Sequence, residues 1–280
     1  MILVTGATGK VGGEVVHRLA AAGRPVRALV RRADAVVPKG AEVVVGTLDG
    51  GAALARACEG VESVFMGSFD DPRMLELQAN LIAAAKAAGA KRIVRLSALA
   101  ARPDSPHDFA RRHGAGDRQV LDSGLGAIVL QPTWFDQNFL TYFPKGVLRM
   151  PVGVGRVAFI DVRDIADVAI AVLTEPGWEG ATIELTGPEA LNHAEVATIL
   201  REATGRAFRF EDEPVEAFVR RSRAGGMDEA YIALLLGLFE RIHRDESAAI
   251  APGVRRVLGR PPLDLATFAR DYAAELIKPL

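Results

Sequence analysis

Residues 1–16 read MILVTGATGKVGGEVV, and this stretch decides the fold. The apolar run 2–5 predicts a β-strand, and the valines that recur at helical spacing behind it predict a helix over 10–22. Three glycines, Gly6, Gly9 and Gly12, lie in the turn between the two elements and at the start of the helix. A strand, a glycine-rich turn and a helix in this order are typical of the first unit of a parallel α/β sheet.

The same alternation continues through the first half of the chain. Further strands are predicted at 26–30, 42–45, 63–66, 92–96 and 127–130, and helical periodicity is clearest over 74–88. Because these strands are nearly continuous apolar runs, both faces of the sheet are expected to be covered by helices. The sequence therefore predicts an α/β fold with a doubly wound, parallel, Rossmann-type sheet.

Composition narrows the classes of partner. The 280 residues carry a formal net charge of -1, which gives no electrostatic reason to expect nucleic acid or an anionic membrane as a partner. Cys58 is the only cysteine, so no intramolecular disulfide is possible and a reducing compartment fits. The first apolar run is too short for a signal peptide or a membrane span. We expect a cytoplasmic monomer or homodimer that binds a small-molecule substrate, without nucleic acid or membrane as partner.

The three glycines have distinct physical roles in a dinucleotide-binding turn. Gly6 allows a sharp turn, Gly9 allows a pyrophosphate to approach the backbone, and Gly12 allows the helix to pack closely on the strand. The helix N-terminus then offers free N–H groups to the phosphates. A nucleotide P-loop is excluded because no Ser or Thr follows Lys10. The G-x-x-G-x-x-G spacing differs from the G-x-G-x-x-G of many dehydrogenases, and a tight turn without a ligand is the alternative.

We predict that the dinucleotide contacts extend beyond the glycines. The remaining predicted contacts are Thr8, Lys10 and Val11 of the turn, and Met66 and Gly67 at the end of the fourth strand.

The end of the second strand indicates which dinucleotide is bound. NAD-specific folds place a carboxylate about 20 residues beyond the glycines, where it accepts from the ribose 2′-OH. This chain has Arg31 and Arg32 there, and no carboxylate before Asp34. Arginine forms paired hydrogen bonds with a phosphate dianion, so NADP(H) is predicted over NAD(H). Two solvated surface arginines are the alternative interpretation.

The pattern of the first half weakens after about residue 140. A helix is predicted to start near Asp164 and a strand at 181–185, and Asn192 with Glu195 predicts a capping box for a helix that Gly205 closes. Residues 207–260 are interpreted as a smaller α-rich region. Its apolar stretch YIALLLGLFERI is expected to pack in the core or line a cleft, with an oligomer contact as the second choice.

We therefore divide the chain into a dinucleotide-binding Rossmann domain, 1–150, and a mixed segment, 151–280. The mixed segment completes the sheet and forms the smaller substrate-covering region.

Several motifs in order resemble the NmrA-like group of atypical short-chain dehydrogenases/reductases. They are VTGATGKVGGEVV, RALVRR, RIVRLSA, DSGLGAIVLQPTWFDQNF, GRVAFIDVRDIADVA, LTGPEALNHAEVATILREATGR and VRRVLGRPPLDLATFARDY. The match covers nearly the whole chain, and QPTWFDQNF is similar to members that reduce small molecules, including ergot-alkaloid-type dehydrogenases and quinone- or azo-type reductases. The resemblance implies a Rossmann-type domain with a small C-terminal region over the substrate. Many such proteins are NADPH-dependent reductases, and some bind the dinucleotide only as sensors.

The Tyr-x-x-x-Lys pair of ordinary short-chain dehydrogenases is absent from this sequence. The resemblance implies that Phe109 stands at the tyrosine position and His113 at the lysine position, with Asp117 where many members have Glu. His113 and Asp117 are four residues apart, so they share a helix face. His113 is interpreted as a cofactor-binding residue at the nicotinamide ribose and a candidate proton relay; a local surface pair is the alternative. Gly114 and Gly116 weaken the helix between them.

Two further positions are candidates for the reaction. Ser97 ends the fifth strand, where the short-chain fold places its substrate-side serine, and it is a candidate catalytic and cofactor-binding residue; a capping serine is the alternative. Trp134, Phe135 and Asn138 follow the sixth strand, and we predict that they contact substrate. Packing beneath the C-terminal region is the alternative for the two aromatic rings. The scattered histidines have no metal-ligand spacing, so no metal is predicted.

The function predicted from these observations is an NADPH-dependent reductase of a small, conjugated or cyclic molecule: a quinone, an enone, an imine or a natural-product intermediate. Hydride transfer to an activated double bond needs no strong side-chain acid, because water can supply the proton. The alternatives are an NADP(H) sensor without turnover and a non-redox isomerase or cyclase on the same fold.

Overall fold

The computed structural model describes residues 1–67, 71–143 and 146–277. Its strands are, in chain order, β1 (Ile2–Val4), β2 (Val26–Val30), β3 (Glu42–Val45), β4 (Ser63–Met66), β5 (Arg92–Leu96), β6 (Gly126–Pro132), β7 (Val147–Met150), β8 (Arg156–Val157), β9 (Thr182–Leu185), β10 (Leu191–Asn192) and β11 (Arg209–Asp212). Its α-helices are α1 (Lys10–Ala21), α2 (Gly51–Cys58), α3 (Met74–Ala87), α4 (Asp108–Leu121), α5 (Phe139–Tyr142), α6 (Val162–Thr174), α7 (His193–Thr204), α8 (Val215–Ala224), α9 (Glu229–His243), α10 (Gly253–Leu258), α11 (Leu265–Asp271) and α12 (Ala273–Leu276).

A parallel sheet organises the first part of the chain. Within the described residues it has seven strands in the order β3-β2-β1-β4-β5-β6-β9. The predicted doubly wound, Rossmann-type α/β fold is thereby confirmed. Ile2 of β1 is in register with Val26 of β2 on one side and with Ser63 of β4 on the other, so the strand order reverses beside β1. Open α/β sheets bind ligands outside the carboxyl ends of the strands at such a point.

The chain forms two compact units, and each is built from three separate segments. Unit 1 comprises Met1–Pro132, Val162–Leu185 and Gly253–Arg260. Unit 2 comprises Thr133–Asp161, Thr186–Pro252 and Pro261–Leu280. The division of roles between residues 1–150 and 151–280 stays a prediction.

Unit 1 has the buried strands that the apolar runs predict. Strands β1, β2 and β4 are buried along their whole length, whereas the edge strand β3 is largely exposed. Helix α1 buries Val11, Val15 and Leu19, the residues of its helical repeat. Gly23 follows it with a φ of +65°, the left-handed conformation of a glycine helix terminator.

Unit 2 has its own hydrophobic core, which contains the aromatic rings of Phe139, Phe159 and Phe268. Helix α9 contains the apolar stretch YIALLLGLFERI and buries Ile232, Phe239 and Ile242 in this core. Helix α7 begins with the predicted capping box, in which Asn192 accepts from the Glu195 N–H at 2.9 Å and Glu195 accepts from the Asn192 N–H at 2.9 Å. Gly205 ends α7 with a φ of +69°, as predicted.

His193, the first residue of α7, is a buried titratable group of unit 2. Its ring centroid lies 5.5 Å from those of Phe159 and Phe210, and its Nδ1 is buried without a hydrogen-bond partner in the described structure. Burial lowers the pKa of His193 to about 4. The folded protein therefore binds fewer protons than the unfolded chain, so this stability is complete above the unfolded pKa of about 6.5 and is lost as the pH falls towards 4.

We expect the unfolding free energy of the wild type to fall between pH 7 and pH 5 by about 2 kcal/mol more than that of His193→Leu. Urea unfolding at the two pH values measures the difference. The control is His17→Leu, the same substitution at an exposed histidine of α1. An equal pH dependence in wild type and His193→Leu would contradict the assignment.

Candidate functional site

At the glycine turn, β1 and α1 lie so close together that a side chain on Gly12 would overlap the backbone of the turn that follows β1. A Cβ placed on Gly12 would lie 2.3 Å from the Gly6 carbonyl oxygen and 3.1 Å from that of Thr5. Gly6 has a φ of +63°, and a Cβ on Gly9 would lie 3.2 Å from the Gly6 oxygen. The turn therefore has the close backbone packing that its sequence predicts.

Helix α1 begins without a capping side chain. Its N-cap is Gly9, which makes no side-chain capping hydrogen bond in the described part of the chain, and its first turn contains no acidic residue. The first N–H groups of any helix have no intrahelical partner, and this end carries a partial positive charge. Thr8, Gly9 and Lys10 are exposed, whereas Val11 is buried. The exposed end of α1 suits an anionic group.

Gly67 closes the same edge at the end of β4. Its N–H donates to the Thr5 hydroxyl at 3.0 Å, and a Cβ at this position would lie 2.7 Å from the Thr5 carbonyl oxygen. The side chain of Met66 is buried in the hydrophobic core with Leu3 and Leu81. The predicted contact at Met66 is thus restricted to its backbone.

The two arginines behind β2 differ in their partners. Arg32 pairs with Asp34, and its Nε donates to that carboxylate at 2.8 Å. Arg31 is exposed and has no hydrogen bond or ion pair to any residue within 1–67, 71–143 or 146–277. Of the predicted pair, Arg31 is the cation available to an anionic ligand.

Sequence reasoning missed the cavity that lies beside the glycine turn. This open cavity of about 530 Å³ is lined by Ala7, Thr8 and Gly13 on one side and by residues 36–39 on the other. His17 adds an imidazole to its walls, and Lys39 adds an amino group. No motif marks residues 36–39, because they form an irregular connection between β2 and β3.

A buried polar network lies at the carboxyl end of β5. Arg95 forms an ion pair with Asp117 of α4, and the Ser97 hydroxyl donates to the second oxygen of that carboxylate at 2.8 Å. Gln131 Nε2 donates to the same oxygen at 2.8 Å, and Arg95 Nε donates to Gln78 Oε1 at 2.8 Å. Burial lowers the pKa of Arg95 and raises the pKa of Asp117, and their mutual attraction opposes both shifts.

His113 lies on the same helix and is not part of this network. Among the described residues no hydrogen bond joins it to Asp117, and its buried Nδ1 has no partner. Its ring centroid is 4.4 Å from that of Phe109. Burial, followed by the charges of Arg95 and Arg112, lowers the pKa of His113 to about 3. The imidazole is therefore neutral near pH 7, with one N–H to donate and one nitrogen to accept.

Gly114 and Gly116 have a packing function that outweighs their low helix propensity. A Cβ on Gly114 would lie 2.1 Å from the carbonyl carbon of Arg102, and one on Gly116 would lie 2.5 Å from the Arg95 guanidinium. Helix α4 stays continuous through both positions. The glycines bring His113 and Asp117 close to the end of the sheet.

The predicted substrate contacts follow β6 in the chain and belong to unit 2, whereas the predicted cofactor contacts belong to unit 1. Trp134 is half-buried and packs against the unit 2 core. Phe135 forms a parallel bridge with Ile160, and Asn138 ends a short 3-10 turn. The hydroxyl of Thr133 is buried without a hydrogen-bond partner in the part of the chain that the structure describes. Their contact with substrate stays a prediction.

Comparison with family models identifies the chain. Residues 1–249 match the model of the NmrA-like family. The chain belongs to the NmrA-like family. The family predicted from the ordered motifs is thereby confirmed.

This NmrA-like protein resembles several reductases over its full length. It is 38% identical to the NAD(P)H azoreductase of Xenophilus azovorans, with 98% of each chain covered. It is 39% identical to the (4-alkanoyl-5-oxo-2,5-dihydrofuran-3-yl)methyl phosphate reductase of Streptomyces griseus, with 98% of this chain and 97% of the relative covered. The NADPH-dependent quinone oxidoreductase of Escherichia coli, solved in complex with NADPH, superposes with a TM-score of 0.82 at 27% identity, covering 97% of this chain and 99% of that chain.

The described residues of the NmrA-like protein offer neither a metal site nor a membrane-spanning helix. Within the described residues, no group of three or more histidine, cysteine or acidic side chains is arranged to hold a metal ion. Within the same residues, no helix has both the length and the apolarity needed to span a membrane.

Proposed function

We propose that this protein is an NADPH-dependent reductase that transfers hydride to a small conjugated or cyclic acceptor of the quinone, enone or imine class. The observation that carries the proposal is the glycine turn at the reversal of strand order, with the unpaired Arg31 at the end of the adjacent strand. The predicted oxidoreductase class and NADP-type cofactor agree with relatives that match over their full length, an NAD(P)H azoreductase and an NADPH-dependent quinone oxidoreductase in complex with NADPH.

The residues fit a dinucleotide phosphate. Gly9 and Gly12 place no side chain in the turn, which suits a pyrophosphate, the uncapped α1 N-terminus suits its charge, and Arg31 suits a 2′-phosphate. His113 is the candidate for the ribose beside the nicotinamide, since it presents a buried polar nitrogen without a protein partner. When bound, NADPH supplies the hydride.

The proposed acceptor class follows from the protonation states near β5. His113 is neutral near pH 7, Phe109 cannot exchange a proton, and the Ser97 hydroxyl donates to a carboxylate. These residues offer no acid matched to protonating a simple alkoxide. A conjugated acceptor avoids this requirement, because delocalisation stabilises the anion formed by hydride addition and water then supplies the proton. In net terms a quinone, NADPH and one proton give a hydroquinone and NADP⁺.

The experiment follows NADPH oxidation with a quinone, an enone, an iminium compound and an azo dye, with a saturated aliphatic ketone as the control. We expect turnover with at least one conjugated acceptor and none with the ketone. Tight NADPH binding without turnover of any acceptor would refute the reductase proposal.

Arg31→Ala is expected to weaken NADPH binding by about 10- to 100-fold, the value of a charge-assisted hydrogen bond or two, and to leave NADH binding nearly unchanged. Arg32→Ala is the matched control, since Asp34 already engages Arg32. We expect its effect on NADPH to be within about threefold, as for other exposed ion pairs. Fluorescence titration of both dinucleotides measures the dissociation constants. Equal losses for NADPH and NADH in Arg31→Ala would contradict the 2′-phosphate assignment.

An NADP(H) sensor is the second candidate function, supported by Phe109 at the position of the family tyrosine and by the neutral His113. It predicts different affinities for NADP⁺ and NADPH, no turnover, and a protein partner whose binding depends on which form is bound.

A further inference from the structure

The direction of one hydroxyl hydrogen at the end of β5 is set by its neighbours. Ser97 is 5% exposed, and its Oγ lies 2.8 Å from Asp117 Oδ2. Asp117 also accepts from Arg95 and from Gln131. Arginine has no acceptor, so Arg95 holds Asp117 as an acceptor of hydrogen bonds.

The amide of Gln131 cannot reverse this arrangement. Its Nε2 donates to the Ala101 carbonyl at 2.9 Å as well as to Asp117. If the amide were turned over, the Gln131 Oε1 would lie against both of these acceptor oxygens, and neither hydrogen bond could form. Behind Arg95, Gln78 accepts from the guanidinium Nε and donates to the Gly116 carbonyl at 2.6 Å. Every bond to the carboxylate of Asp117 is therefore a donation to it, and the single hydrogen of the Ser97 hydroxyl must point at Oδ2.

We propose that Arg95 and Asp117 are positioning residues that fix Ser97 as a hydrogen-bond acceptor towards an N–H or O–H group of the bound dinucleotide. A serine hydroxyl has one hydrogen and two lone pairs. Once the hydrogen is committed to Asp117, only the lone pairs remain for a ligand. Ser97 thus cannot donate to a substrate carbonyl, the role its position in a short-chain fold suggests. This inference rests on the proposed NADPH-dependent function.

The first test removes the hydroxyl. Ser97→Ala is expected to raise the dissociation constant of NADPH about tenfold, the value of one hydrogen bond, in a fluorescence titration without substrate. The loss is expected to appear as a higher KM for NADPH rather than as a higher KM for an unsubstituted quinone, which has no N–H or O–H. Ser63→Ala is the matched control, because Ser63 is a buried serine at the opposite end of the sheet. An unchanged NADPH affinity with a lower kcat or a higher quinone KM would overturn the proposal, since Ser97 would then act on the substrate.

The second test removes the pair that positions Ser97. Replacing both charges, in Arg95→Met/Asp117→Leu, leaves no unpaired buried charge, so the protein is expected to fold. Its NADPH affinity is expected to fall as in Ser97→Ala, and adding Ser97→Ala is expected to weaken binding no further, because the hydroxyl is no longer oriented. Wild-type NADPH affinity in the folded double variant would overturn the positioning role. If this variant does not fold, Ser97→Ala alone still decides whether the hydroxyl binds the dinucleotide.

The wild type separates this inference from the proposed function. If the wild type binds NADPH but reduces no acceptor, the proposed reductase function is refuted. The NADPH affinity of Ser97→Ala then still tests whether the Ser97 hydroxyl binds the dinucleotide. A wild type that binds no NADPH overturns both.

Discussion

Gly12→Ala is expected to abolish measurable NADPH binding and to lower the free energy of unfolding by about 3 kcal/mol or more, as overpacking against rigid backbone does. The new Cβ would lie 2.3 Å from the Gly6 carbonyl oxygen and 2.8 Å from its carbon. Both are backbone atoms, so α1 must move away from β1, and the phosphate cradle opens with it. Dinucleotide titration and urea unfolding measure the two effects.

The next residue of the helix supplies the control. A Cβ on Gly13 would meet the Ala7 oxygen at 3.4 Å, an ordinary contact. Gly13→Ala is therefore expected to keep the stability within about 1 kcal/mol of the wild type, because the gain in helix propensity is of that size. NADPH binding as tight in Gly12→Ala as in Gly13→Ala would show that the turn does not cradle the dinucleotide.

Gly114→Ala is expected to have the second large effect. A Cβ there would lie between 2.1 and 2.5 Å from the three backbone atoms N, Cα and carbonyl C of Arg102. Relief of this overlap displaces α4, and with it His113 and Asp117. We expect the free energy of unfolding to fall by about 3 kcal/mol and the dissociation constant of NADPH to rise.

Gly237→Ala tests the same chemical change in a helix with room for it. Apart from its chain neighbours and the backbone of α9 itself, no atom of the described residues lies within 4 Å of a Cβ at that position. The variant is expected to raise the free energy of unfolding by about 0.5–1 kcal/mol through helix propensity alone. If Gly114→Ala were as stable as Gly237→Ala, α4 could move without loss of unfolding free energy, and Gly114 would have no packing function.

Most of the fold was predictable because its determinants are local. The strand, turn and helix at the N-terminus, the capping box of Asn192 and Glu195, and the terminating Gly23 and Gly205 each depend on a few adjacent residues. Apolar runs predicted buried strands, which is correct for β1, β2 and β4 and wrong for the edge strand β3. The alternation of strands and helices predicted a doubly wound parallel sheet, and the order of its strands comes from the structure.

The polar partners at the site were not predictable from spacing. The i,i+4 relation of His113 and Asp117 predicted a shared helix face, yet Asp117 is bonded to Arg95, Ser97 and Gln131. Those partners come from two strands, and their proximity is a product of sheet register. Nor did the sequence distinguish Arg31 from Arg32, since the difference depends on the conformation in which Asp34 meets Arg32.

The interleaving of the two units has a consequence for biosynthesis. Strand β6 pairs with β5 on one side and with β9 on the other. Strand β9 is synthesised only after the intervening segments, which are Thr133–Asp161 of unit 2 and then α6 of unit 1. Until then the nascent chain presents an open, apolar strand edge, the kind of surface that recruits chaperones or aggregates. A gene truncated near codon 150 would make that transient edge permanent, so we expect such fragments to accumulate as insoluble protein.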